Sequence, residues 1–123
     1  MELREEISRY VTLEVLLRTL ERDKNYLTSL KMSEVFNEWY QLKVNEVYEE
    51  FKNVKKTLYN AGCRIDKGEN DGVITQYFVL ICGKTEESRY SNITLKNRVT
   101  NEMRKLLGME YRKPYEQKEP STD

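Results

Sequence analysis

The sequence predicts an α+β domain: two N-terminal helices, the second long and heptad-like, then a β-hairpin, a C-terminal helix and a flexible tail. Three observations predict it. Apolar residues recur at steps of three and four from Leu3 to Leu20 and again from Phe36 to Leu58, the period of a helix with one buried stripe. After Gly62 the period becomes two on either side of Asp71-Gly72, the pattern of a hairpin around a turn pair that tolerates positive φ. Helical spacing returns at Leu95, Val99, Met103 and Leu106.

The first helix is expected from Glu2 to about Glu21, with Leu3, Ile7, Tyr10, Leu13, Leu17 and Leu20 as its stripe. Glu2, Glu5 and Glu6 open it and Arg18 and Arg22 close it, as the helix dipole favours. "RDKN" at Arg22 to Asn25 has no apolar residue and breaks the pattern. The second helix runs from Ser33 as N-cap to Asn60, with Gly62 as its left-handed terminator. Phe36, Tyr40, Val44, Val47, Phe51, Val54 and Leu58 form its seam, which suits pairing with the first helix or with a second copy. Trp39, Leu42 and Tyr48 lie off that seam, so the helix has apolar contacts on more than one side.

With Asp71-Gly72 as a two-residue turn, Ile65 faces Phe78 and Cys63 faces Leu80. Cys63, Ile65, Ile74, Phe78, Leu80 and Cys82 then make the core face, and Tyr77, Val79 and Ile81 stand on the other. A strand apolar on both faces is normally covered on both. Either the helices sandwich the hairpin or a partner covers the second face, which makes Tyr77, Val79, Ile81 and the off-seam Trp39 candidate interface residues. "GKTEESRYSN" from Gly83 reads as a polar connection, and the last helix starts near Asn92 or Thr94 and stops at Gly108. Residues 1–108 therefore read as a single α+β domain. Residues 109–123, which hold both prolines and almost no aliphatics, read as a flexible tail.

Charge and chemistry narrow the function classes. The chain has 123 residues, 34% charged and 38% apolar, with 21 basic and 21 acidic side chains. Residues up to Glu50 hold 7 basic and 11 acidic groups, and those after it 14 and 10, a modest basic bias in the second part. Histidine is absent, which removes His-based acid/base catalysis and the Ser/His and Cys/His pairs. Two cysteines cannot complete a structural zinc shell. "GKT" at Gly83 lacks the earlier glycine of a phosphate loop, where Phe78 stands, and "DKGENDG" has Asp71 where a calcium loop needs glycine. The clusters Glu46, Glu49, Glu50 and Glu86, Glu87 read as solvated faces. No catalytic, cofactor-binding or metal-binding residue is expected, and no cofactor. The charged N-terminus carries no signal peptide and the longest apolar run, Tyr77 to Cys82, is too short to span a bilayer. A cytoplasmic protein with reduced thiols and no membrane partner follows.

The segment Phe51 to Leu80 resembles the recognition-helix-plus-wing portion of winged-helix regulators: a basic amphipathic helix, a leucine before a glycine stop, then a hairpin. The resemblance implies a DNA-binding regulator. In it Lys52, Asn53, Lys55, Lys56 and Asn60 face the groove, while Arg64, Lys67 and Asn70 touch backbone from the wing. The first expectation is different: a non-enzymatic protein that works by association, as a homodimer or as an adaptor for another protein. It rests on the seam, the two-sided strand and the missing catalytic chemistry.

Overall fold

The computed structural model describes residues 3–109. It has helix α1 (Leu3–Asp23), a 3₁₀ turn (Lys24–Ser29), helix α2 (Ser33–Asn60), strands β1 (Cys63–Asn70), β2 (Ile74–Ile81) and β3 (Lys84–Ser91), and helix α3 (Asn92–Leu106). The tail expected at 109–123 lies, from residue 110 on, outside the described residues. The strands form an antiparallel meander in the order β1-β2-β3.

Local chemistry explains the boundaries. Gly62 takes φ of 75° just beyond α2, the left-handed step that ends a helix. At the start of α3 the Ser91 hydroxyl oxygen accepts from the Thr94 amide at 3.0 Å, an N-cap bond. α2 starts without a side-chain cap: Met32 occupies the position ahead of Ser33.

The core is built around α1. Ile7, Val11, Leu13, Leu16 and Leu20 are buried on it, against Val44, Val47, Val54 and Leu58 of α2. The sheet adds Cys63, Ile65, Tyr77 and Val79, and α3 adds Leu95 and Val99. At one edge of this core the Arg9 guanidinium pairs with Glu50 and Glu102, so one cation joins all three helices. Among the described residues no buried side-chain polar atom lacks a partner.

The hairpin register departs from expectation by one residue. Cys63 pairs with Ile81 and Ile65 with Val79, so Thr75, Tyr77 and Val79 point inward and Phe78 and Leu80 outward. Tyr77 is 0% exposed and Phe78 39%. Two features set this register. Asp71 Oδ1 accepts from the amides of Val73 and Ile74 at 2.9 and 2.8 Å, which lengthens the turn and leaves Val73 out of the strand. A bulge between Lys67 and Asn70 then shifts the pairing again. Gly68 sits in it under Phe78 and Gln76, where a Cβ would lie 2.9 and 2.6 Å from their side chains.

A third strand replaces the expected polar connection. Cys82 and Gly83, at φ of 49° and 86°, form a two-residue turn between the paired Ile81 and Lys84. Two successive positive φ values are the type I′ geometry. Inside the sheet, the Tyr77 hydroxyl donates to Glu14 Oε1 at 2.9 Å and its ring meets Tyr90 edge-on at 5.8 Å. Burial beside Glu14 pushes the Tyr77 phenol far above its ordinary value. The outer face of β2 is bordered by the ion pairs Arg64–Asp66 (3.2 Å) and Glu87–Arg89 (2.8 Å), which flank Phe78 from the adjoining strands.

Candidate association surface

Of the expected interface residues, Tyr77 and Val79 lie in the chain's own interior, because the register turns that face of β2 onto the helices. They present no surface to a partner. Ile81 is half-buried and lines a groove with Leu3 and Ile7 of α1. Trp39 is on the surface, 39% exposed, and it belongs to a larger apolar region.

That region is the elbow between α1 and α2. Tyr26, Leu30, Met32, Val35, Phe36, Trp39 and Leu42, seven large apolar side chains within seventeen residues, are all exposed, from 39% for Trp39 to 75% for Tyr26. The elements explain the exposure. The Tyr40 hydroxyl donates to the Leu20 carbonyl at 2.7 Å, which fixes where α1 ends along α2. The turns of α2 ahead of Tyr40 therefore run on past α1 and meet the 3₁₀ turn. That turn bonds to itself, with Thr28 Oγ1 donating to Asn25 O and Ser29 Oγ to Tyr26 O at 2.8 and 3.1 Å.

From Met32, just ahead of α2, the residues Val35, Trp39 and Leu42 follow at three, four and three, a second stripe beside the core seam. Phe36 belongs to the core seam but lies beyond α1, and it stacks edge-on with Trp39 at 6.5 Å. Lys31, Glu34, Glu38 and Lys43 lie among or next to these residues in sequence, and the exposed Glu46 follows Leu42 at the next helical step. Burial, with Asp23 and Glu21 close by, raises the Tyr40 phenol. Trp39 and Leu42 are legible in the sequence as off-seam positions. Met32 and Val35 complete the same spacing, and that spacing was the available signal for them.

Of the residues implied by the winged-helix resemblance, Lys55 and Arg64 line one groove between the end of α2 and β1. α2 is continuous across Lys43 to Val47, where a helix-turn-helix has its turn. Lys52 pairs with Glu49 at 3.1 Å and sits over the Tyr48 ring at 5.2 Å. Asn53, Lys55, Lys56 and Asn60 are exposed on the last turns of α2. Arg64 is held by Asp66, and Lys67, three residues along β1, points to the opposite face from Arg64. Asn70 is engaged with Asn92.

Cys63 is buried and Cys82 exposed, both as free thiols. Burial raises the Cys63 thiol, with Cys82 adding to the shift. Among the described residues no group of three metal-ligating side chains occurs, and no helix is long and apolar enough to cross a membrane.

A family described as YhjD protein matches residues 1–111. No curated protein and no solved structure matches the chain.

Proposed function

Since the chain belongs to the YhjD family, whose match takes in every described element, we propose for it a function that uses the whole domain: non-enzymatic, cytoplasmic association, with the elbow as working surface and a second copy as occupant. The observation that carries this is the run of seven exposed large apolar side chains from Tyr26 to Leu42. Three of the seven are aromatic, with about 150–250 Å² each. About half exposed, the seven together offer several hundred Å², approaching the roughly 800 Å² per partner in a stable complex. Few monomers leave so large a patch open.

Self-association fits the shape of the patch. A two-fold axis brings identical surfaces together, and a helical stripe meets its own copy along its length. The absence of histidine supports a non-enzymatic role. Two unbridged thiols suit a reducing compartment.

Sedimentation velocity over a wide concentration range tests the reading. Wild type is expected to dimerise, with a blue shift of Trp39 emission, since Trp39 is the single tryptophan. The double variant Trp39→Glu/Leu42→Glu is expected to be monomeric with unchanged circular dichroism, because charges in an apolar contact lose their water without gaining partners. A wild type that stays monomeric at every concentration, or a double variant that still dimerises, would overturn it.

A further inference from the structure

We infer that the cleft between the C-terminal half of α1 and α3 binds a small amphipathic carboxylate, an aliphatic chain with an anionic head. The cleft holds about 490 Å³, within the range of small-molecule sites. Its floor is apolar and continuous with the core: Leu95 and Val99 are buried there, flanked by Val15 and Met103. None of these residues can satisfy a polar ligand, so the floor takes hydrocarbon.

The mouth is cationic. Arg18 and Arg22 stand one turn apart on α1, and Lys96 faces them from α3, with Asp23 as the one acid among the lining residues. Asp23 offsets Arg22 and Glu14 lies beside Arg18, so the mouth carries a net +1, centred on Lys96. Arg18 hydrogen-bonds the Tyr77 hydroxyl and lies 3.7 Å from Glu14, Arg22 reaches its neighbour Asp23 at 3.4 Å, and Lys96 has no ion pair or side-chain hydrogen bond among the described residues. A carboxylate head therefore meets donors with spare capacity.

One end of the cleft is closed in advance. Thr75 Oγ1 donates to Asn92 Oδ1 at 2.6 Å and Asn92 Nδ2 to Asn70 Oδ1 at 3.0 Å. This network ties the sheet to the first turn of α3, so little ordering remains to oppose binding. Among the described residues no aromatic ring lines the cleft, which disfavours a nucleobase, for stacking is its usual recognition. The single acid disfavours a metal ion.

The site does not depend on dimerisation, so the experiment uses both wild type and the Trp39→Glu/Leu42→Glu protein. Decanoate, kept below its micelle concentration, is titrated by calorimetry with decanol and decylamine as controls. Decanoate is expected to bind saturably at one site per chain and more tightly than either control. Arg18→Gln/Lys96→Gln should weaken decanoate roughly tenfold and leave decanol unchanged. Thr100→Trp, at the exposed edge of the cleft, should block the binding by filling it, with circular dichroism confirming that each variant is folded. Equal affinity for decanoate and decanol, no saturable binding, or an unaltered Arg18→Gln/Lys96→Gln titration would each overturn the inference.

Discussion

Truncating Tyr77 and Phe78 in turn separates the observed hairpin register from the one residue shift that the sequence equally allows. Tyr77 is 0% exposed and Phe78 39%. Cutting a buried aromatic to alanine costs about 3–5 kcal/mol. The edge-on contact with Tyr90 places Tyr77→Ala near the top of that range, about 4–5 kcal/mol. Phe78 faces water. Burying a whole phenylalanine is worth about 1.5–3 kcal/mol, so a ring about three-fifths covered returns roughly 1–2 kcal/mol, with no cavity because solvent fills the space. The difference is about 3 kcal/mol, or roughly 12–18 °C in unfolding midpoint for a domain of this size. Urea and thermal unfolding followed by far-ultraviolet circular dichroism measure it. Trp39 fluorescence is the wrong probe, since it reports the elbow. A Phe78→Ala loss equal to or larger than that of Tyr77→Ala would refute the register.

Alkaline pH gives a second test. The Tyr77 phenol, raised by burial and Glu14, keeps its proton in the folded state above about pH 10, where the unfolded chain ionises. The folded state then binds more protons, so stability is intact below about pH 10 and falls as pH rises past it. In Tyr77→Phe the decline of the unfolding midpoint above pH 10 should be shallower, and parallel curves would remove Tyr77 as a cause. Gly62→Ala places a Cβ at φ of 75°, 3.4 Å from Cys82 Sγ. A loss of about 1–2 kcal/mol is expected from the left-handed backbone, and an unchanged urea midpoint would show that α2 does not need this terminator.

Some of this architecture is legible in the sequence and some is not. The span of α2 is as read, because Gly62 stops it and a long regular seam leaves one reading of its period, but Met32 and not Ser33 holds the cap position. The register of β2 is not legible, because Tyr77, Phe78, Val79 and Leu80 offer an apolar residue to either face. It is settled instead by Asp71 bonding to its own turn and by the bulge at Gly68. β3 escapes because Lys84 to Ser91 holds no aliphatic residue. Its Tyr90 packs against Tyr77, and it is held mainly by backbone pairing. The elbow surface is half legible: Trp39 and Leu42 stand off the seam, but nothing in their spacing says that α1 ends short of them.

The place of α1 at the centre of the core also orders the events of synthesis. Of the described elements, the helix that every layer packs against is made first, and its partners follow in sequence: α2 through a short connection, then the meander, then α3, whose Arg98 reaches Ser8 across 90 residues. Neighbouring elements close small loops and form quickly. The α1–α3 contact cannot form until α3 has been made, so until then the nascent chain carries one flank of α1, with Val15 and Leu16, uncovered by that helix.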